Sequence, residues 1–188
     1  MRNFVFGFFI AIIALVVGGY SLAVNGYVPA RADVAPSALE KNLAISSLHR
    51  SINRDSAGLA SPLKPTDADL IAGVKLYGAN CAVCHGAENG KPSALAQGFY
   101  VESPMLATKD GSVADDPESV TYFKVTHGIR FTAMPGFSKT LDETQRWQIA
   151  AFVKRMDKLS APVEAAWKAL PSVASPAPSA SDVQRSSL

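Results

Sequence analysis

The cysteine pattern constrains this chain more than any other feature of its sequence. The chain has two cysteines, Cys81 and Cys84, separated by two residues, and His85 follows the second one directly. Two cysteines cannot by themselves complete a four-cysteine zinc or iron–sulfur site. They also cannot build the framework of a disulfide-rich scaffold. Cys81 and Cys84 are therefore expected to act together at one site.

The Cys-x-x-Cys-His pattern is typical of covalent haem attachment. Each thiol can add across one haem vinyl group, and the adjacent histidine can bind the iron through Nε2. A redox dithiol normally follows a strand in a βαβ pattern, which is not visible here. A disulfide across two residues would stabilise the fold little and would leave the histidine without a role. The sequence predicts one covalent haem c with its iron, held by Cys81, Cys84 and His85.

The N-terminal segment predicts a membrane-spanning helix. Residues 4–24 are almost continuously apolar, and no charged side chain stands between Arg2 and Arg31. At about 1.5 Å per residue, this run spans a hydrocarbon core of about 30 Å. A cleaved signal peptide is the alternative, although its apolar run is usually shorter, about 7–15 residues. Under both interpretations, the residues after the apolar run are exported across the membrane. Arg2 favours a cytoplasmic N-terminus.

Composition divides the chain into four segments. We expect a transmembrane anchor or signal peptide over residues 1–24, a periplasmic linker over 25–65, a folded domain over 66–168 and a disordered tail over 169–188. Within the linker, the capping pattern of Ser37 and Glu40 predicts a short amphipathic helix. This helix either lies on the domain or the membrane surface, or docks a partner subunit.

The folded domain is predicted to be mostly helical, because no convincing alternating strand occurs in it. Thr66 with Asp69 predicts one helix start, and Thr140 with Glu143 predicts another. A shorter helix is expected between them, over 117–125. Three short helices supply little core for a domain of roughly 100 residues, so a cofactor is expected to complete the interior.

Charge and residue composition exclude several function classes. The chain has 18 Lys and Arg against 16 Asp and Glu, a formal charge of +2, which is too small an excess for a nucleic-acid partner. No Ser-His-Asp or paired-carboxylate constellation stands out, and both axial positions of the haem have candidate ligands. We therefore expect a protein that is not an enzyme.

From Asp67 to about Trp167, the chain resembles a single-haem class I cytochrome c of the bacterial type grouped with the haem-bearing subunit of cytochrome-cbb oxidases. The resemblance is carried by LIAGVKLYGANCAVCHG, Gly90-Lys91-Pro92, HGIRFTAMPGF and RWQIAAFV. It implies an all-α fold, a class I cytochrome c-like helical domain around one haem, here preceded by an N-terminal transmembrane helix. It also implies one-electron transfer between redox protein partners, in a respiratory chain at the outer face of a bacterial inner membrane.

The resemblance places the second axial ligand at Met134, in the loop before the last helix. A thioether ligand stabilises ferrous iron and raises the reduction potential. His127 is the rival ligand, since bis-histidine haems exist. Met105 and Met156 are expected to fill the core.

Family position suggests roles for further residues around the haem. The Pro92 carbonyl is expected to accept the Nδ1 hydrogen of His85. Phe99 and Phe131 are expected to wall the haem pocket, with plain core packing as the alternative. Arg130 either reaches a haem propionate or is solvated.

Two other features follow from the same comparison with the family pattern. Gly73 and Tyr77 match positions at which the first helix crosses the last, near Trp147 and Ala151, and glycine there would let the backbones approach closely. The loop over 98–104 departs from many relatives, because it retains one proline where they have a proline-rich run. We expect its partner surface to differ accordingly.

Two alternative functions stay open. A haem-bearing accessory subunit of a membrane dehydrogenase or terminal oxidase would transfer electrons inside a larger membrane complex. A haem gas sensor or peroxidase would require Met134 to dissociate and free the distal position.

Overall fold

The computed structural model describes residues 1–88, 92–107 and 115–171, and every regular element in these ranges is a helix. The predicted all-α class is therefore confirmed. The helices are α1 (Arg2–Val24), α2 (Ala38–Ser56), α3 (Asp67–Asn80), α4 (Ala82–His85), α5 (Ala94–Gln97), α6 (Glu118–His127), α7 (Glu143–Lys154) and α8 (Ala161–Lys168). The predicted tail lies outside the described residues from 172 onward.

The chain divides into two compact units, Met1–Ala32 and Asp33–Leu188. The first unit contains α1, whose 22 residues Asn3–Val24 have a mean hydropathy of 2.4. Within the described part of the chain, α1 is the one helix long and apolar enough to cross a membrane. An apolar surface on all sides is typical of a helix that is surrounded by lipid.

The helix predicted in the linker is present as α2, and it belongs to the second unit. Its first turn is capped by the Ser37 hydroxyl, which accepts the Glu40 backbone N–H at 3.2 Å. At its other end, Ile52 and Ser56 are buried, and the helix packs against α6. The compact unit therefore begins well before Thr66, where the predicted domain begins.

The core of the second unit forms where α3 crosses α7 and packs against α8. A Cβ added at Gly73 would lie 2.9 Å from the Cβ of Phe152 and from the carbonyl carbon of Gln148. The close crossing predicted at this glycine is confirmed, because only a residue without a side chain fits there. Tyr77, four residues on, packs edge-on against Phe152 and Trp167.

The capping box predicted at Thr66 is confirmed, since the Thr66 hydroxyl accepts the Asp69 N–H and the Asp69 carboxylate accepts the Thr66 N–H. The start predicted at Thr140 is wrong, because Asp142 caps α7. Its carboxylate accepts the Gln145 N–H at 2.8 Å, and the Gln145 side chain accepts the Asp142 N–H at 3.0 Å. This pair satisfies two otherwise unpaired donors, so the helix starts two residues later.

Two further helices differ from the sequence-based expectation. The helix predicted over 117–125 extends to His127 as α6. The eight-residue α8 was not predicted, and it starts after Ser160 with a proline in its first turn. Its Val163 and Trp167 are buried against the core, so it supplies part of the interior that three helices could not fill.

Candidate haem-binding site

The cysteine motif lies on one tight turn at the end of α3. Cys81 ends α3 and begins α4, and its N–H donates to the Tyr77 carbonyl at 2.8 Å. The His85 N–H then donates to the Cys81 carbonyl at 2.9 Å. Both cysteines are free thiols. The helical turn thus presents two thiols and an imidazole from one short segment.

The predicted ligands line a single cleft, which is partly open to solvent. It is lined by Asn80, Cys81, Cys84, His85, Ser103, Val125, Ala133, Met134, Pro135 and Phe137. Met134 is distant in sequence from the cysteine motif, so the fold rather than the local sequence brings the thioether to the imidazole. Val125, Ala133, Pro135 and Phe137 form apolar walls that sequence reasoning missed.

Burial sets the charge state of the site. It raises the pKa of the Cys81 thiol to about 12, with a smaller contribution from Cys84, and raises the pKa of the Cys84 thiol in the same direction. Burial also lowers the pKa of His85, against an opposing effect of the Pro104 carbonyl. At neutral pH the protein therefore presents two neutral S–H groups and a neutral imidazole. The neutral imidazole is the form in which histidine binds a metal.

The His85 ring is held by the loop after α5. Its Nδ1 lies 2.8 Å from the Pro104 carbonyl oxygen, and the His85 carbonyl accepts the Leu106 N–H at 3.1 Å. The role predicted for Pro92 is therefore wrong. Because Pro92 directly precedes α5, its carbonyl faces that helix and accepts the Gln97 side-chain amide at 3.1 Å. The neighbouring motif residues Gly90 and Lys91 lie outside the described residues.

The loop that carries Met134 is closed on itself by short hydrogen bonds. The Ile129 N–H donates to the Met134 carbonyl at 3.1 Å, and the Thr132 hydroxyl donates to the Ile129 carbonyl at 2.7 Å. The same hydroxyl accepts the Met134 N–H at 3.2 Å. The Phe137 N–H then donates to the Val125 carbonyl at 2.9 Å, so the loop is fixed to the end of α6.

Two glycines allow this loop to fold back onto α6. Gly128 has a φ of 67°, and a Cβ there would lie 2.6 Å from the Gly136 nitrogen and the Pro135 carbonyl carbon. A Cβ at Gly136 would lie 2.7 Å from the His127 carbonyl carbon. Positive φ and such close backbone contacts both favour glycine. The position of Met134 thus depends on residues that contribute no side chain.

The aromatic walls predicted for the pocket are not found at the predicted positions. Phe131 is 92% exposed and does not line the cleft. It lies at the tip of a turn closed by the Thr132 N–H and the Ile129 carbonyl at 3.2 Å, with a φ of 61°. Phe99 is half-buried outside the cleft lining, and Arg130 is exposed.

The rival ligands lie elsewhere. His127 is exposed, and its ring packs against Phe123 with centroids 4.7 Å apart rather than lining the cleft. Met156 packs against the core, as predicted. Met105 is half-buried and does not line the cleft. Met134 is thus the thioether that shares the cleft with His85.

The donor set of the cleft fits a haem rather than a bare metal ion. Within the described ranges, no three His, Cys, Asp or Glu side chains are grouped closely enough to hold a metal. The cleft instead offers two thiols on one turn, one imidazole and one thioether, between apolar walls. Such a set suits iron that arrives within its own macrocycle, because two axial ligands then complete the coordination.

Comparisons with known proteins support a covalently bound haem c in this chain. A family model described as cytochrome C oxidase, cbb3-type, subunit III, matches residues 68–153. The chain is 34% identical over 112 residues to the cbb3-type cytochrome c oxidase subunit CcoP of Azospirillum brasilense, which covers 56% of this chain and 37% of that protein. The chain therefore spans well under half of the length of that subunit.

Two shorter relatives are matched over most of their length. The cytochrome c6 of a Picosynechococcus species is 33% identical over 46% of this chain and 72% of that protein. The cytochrome c6 of Limnospira maxima is 33% identical over 45% of this chain and 90% of that protein. The similarity thus covers most of two small proteins as well as one segment of a larger subunit.

Proposed function

The chain belongs to the class I cytochrome c family, and from that premise we propose that it carries single electrons between protein partners. Its cofactor is one covalently bound haem c with iron. When bound, haem c supplies a one-electron couple between ferric and ferrous iron. The observation that carries the proposal is that Cys81, Cys84, His85 and Met134 line the same cleft.

The proximal residues have separate roles in this proposal. Cys81 and Cys84 would hold the haem through thioether bonds, in which each sulfur is bonded to one carbon of a vinyl group and the other carbon has taken the thiol hydrogen. His85 would hold the iron through Nε2, with its Nδ1 2.8 Å from the Pro104 carbonyl oxygen. That hydrogen bond fixes the ring orientation and raises the basicity of the imidazole.

Met134 is the distal ligand in this proposal. Its loop is closed by its own hydrogen bonds and fixed to α6, so the thioether position is set by the fold before the iron is bound. His85 and Met134, which line the same cleft, would then both hold the iron. This supports electron transfer by a protein that is not an enzyme, over a gas sensor or a peroxidase.

The membrane placement is part of the same proposal. The length and composition of α1 support a single-pass anchor in a bacterial inner membrane, with the haem domain in the periplasm. A tethered domain would exchange electrons with redox protein partners in a respiratory chain. The similarity to an oxidase subunit supports the second candidate, in which the chain is a fixed subunit of a larger membrane complex.

The proposal is tested by purifying the full chain from membranes and titrating its haem absorbance against potential. We expect a reversible one-electron transition with haem that stays on the polypeptide in a denaturing gel. Oxidase or dehydrogenase subunits that co-purify in fixed proportion would identify the second candidate. A chain that binds no haem, or whose haem does not cycle reversibly, would refute one-electron carriage.

A further inference from the structure

One face of α2 carries exposed apolar side chains that the fold does not use. Leu39, Leu43 and Arg50, which we call the outer stripe, lie within about 40° of one another around a helix with about 3.6 residues per turn. Leu39 is 79% exposed and Leu43 is 69% exposed. Arg50 is exposed at the end of the stripe. Exposed leucines next to an arginine form an amphipathic surface.

The opposite face of α2 is fixed to the haem domain. Ile52 is 5% exposed, and Leu48, one turn before it, is half-buried, in the helix that packs against α6. At the first turn, the Tyr100 hydroxyl donates to the Glu40 carboxylate at 2.6 Å. Tyr100 belongs to the same loop as Pro104, which holds His85. The orientation of α2 is therefore tied to that of the haem cleft.

The chain before α2 supports a lipid surface as the occupant of this stripe. Residues 25–37 connect α1 to α2, and at about 3.4 Å per residue they reach at most about 45 Å. This short connection contains Arg31 and Asp33, but it also carries three exposed apolar side chains, Tyr27, Val28 and Val34, at 74%, 63% and 47% exposure. The connection therefore carries exposed apolar side chains between the sequence positions of the two helices.

The chemistry of the stripe matches the boundary between headgroups and acyl chains. Leucines on one side of a helix enter the acyl region by a few ångströms, while an arginine beside them pairs with lipid phosphates. A soluble partner protein would need its own complementary apolar patch, whereas the membrane is already within reach of this short connection. The membrane surface is therefore the partner that the short connection to α1 keeps within reach of the outer stripe.

We propose that the outer stripe of α2 lies on the surface of the membrane that α1 spans and fixes the orientation of the haem domain relative to that surface. The inference rests on the membrane anchor of the proposed function. Because α2 is bound to the domain through α6 and Tyr100, contact of the stripe with lipid restricts rotation of the whole domain. A tether alone would leave that rotation free.

The experiment uses the orientation of the haem itself. The full-length holoprotein is reconstituted into oriented bilayers of phosphatidylethanolamine and phosphatidylglycerol, and the linear dichroism of the Soret band is measured. We expect a dichroic band for the wild type and an isotropic band for the double variant Leu39→Gln and Leu43→Gln. The matched control is Leu95→Gln, since Leu95 is also exposed, at 57%, but lies on α5. It should keep the wild-type dichroism.

Further measurements separate the outcomes. Unchanged circular dichroism and haem absorbance show that the double variant folds, and equal sedimentation with vesicles shows that its anchor is intact. A wild-type chain that sediments with vesicles but gives an isotropic band would refute the membrane contact of the outer stripe. It would leave the membrane anchor of the proposed function unchallenged. A chain that does not enter vesicles would refute both the membrane contact of the outer stripe and the membrane anchor. Dichroism that appears only in native membranes would assign the stripe to a partner protein and overturn the proposal.

Discussion

The Nδ1 of His85 lies 2.8 Å from the carbonyl oxygen of Pro104, 19 residues further along the chain. The loop is fixed to the same histidine a second time, because the Leu106 N–H donates to the His85 carbonyl at 3.1 Å. The loop that contains Pro104 and Leu106 thus holds both the imidazole and the backbone carbonyl of His85. The orientation of the proximal ring is set by the path of that loop.

The hydrogen bond between His85 and Pro104 predicts the effect of replacing Pro104 with a more flexible residue. Replacing it with glycine removes the fixed φ of proline, so the carbonyl should hold the Nδ1–H less well and the imidazole should become a weaker donor to ferric iron. We expect Pro104→Gly to raise the reduction potential by about 60 mV, a tenfold change for a one-electron couple. Pro92→Gly is the matched control, and a larger shift there than at Pro104 would contradict the assignment.

Met134→Ala should remove the distal ligand. The ferric protein should lose the weak far-red sulfur-to-iron charge-transfer band, the potential should fall because the thioether favours ferrous iron, and carbon monoxide should bind. His127→Ala should leave the band unchanged, because that side chain is exposed outside the cleft. A wild type that lacks the band, and in which His127→Ala rather than Met134→Ala lets carbon monoxide bind, would show bis-histidine ligation.

The covalent attachment is tested by replacing both cysteines with serine. The double variant should yield a polypeptide without haem staining on a denaturing gel, whereas wild-type haem should resist acid-acetone extraction. Each single variant should keep one thioether bond, which mass spectrometry would assign to the remaining cysteine. Complete extraction of haem from the wild type would show that the attachment is not covalent.

Gly128→Ala should destabilise the loop that carries Met134. The new Cβ would meet the Pro135 and Gly136 backbone at 2.6 Å, in a residue whose φ is 67°. Strain of this kind costs about 1–3 kcal/mol, so denaturant unfolding should show a loss of that size and the charge-transfer band should weaken. Gly98→Ala is the control, since its nearest contact would be 3.5 Å. An equal loss in both variants would mean that the close approach has no special cost.

The anchor is tested on the native chain. Because α1 has no charged side chain after Arg2, we expect the protein to sediment with membranes and to resist carbonate and high-salt washes. N-terminal sequencing of the purified protein is the second measurement. A soluble product that begins near Asp33 would show a cleaved signal peptide instead.

Local signals in the sequence predicted local structure well. The Thr66 capping box depends on two residues three positions apart, so the pattern itself predicted it. The close contact of Gly73 with Phe152 joins distant parts of the chain, and the resemblance to the family indicated it. Asp142 was missed because two overlapping capping patterns compete there, and only the reciprocal bond with Gln145 decides between them.

Contacts across loops were predicted less well. Pro92 and Pro104 both follow His85, and the choice between their carbonyls depends on how the chain turns after α5. The retained proline of the 98–104 loop was the available signal. Phe131 was expected in the pocket from its position near Met134, but its φ of 61° places it on the surface, which no residue pattern indicates.

The backbone hydrogen bonds of the Met134 loop make the path of its backbone independent of the side chains that are exposed on it. The bonds from Ile129 to Met134 and from Phe137 to Val125 use no side-chain atoms, and they hold the loop while Phe131 is almost fully exposed beside it. Substitutions at exposed positions such as Phe131 can therefore change the surface of this loop while its backbone keeps the same path. The protein surface at the loop and the backbone position of Met134 can thus evolve independently.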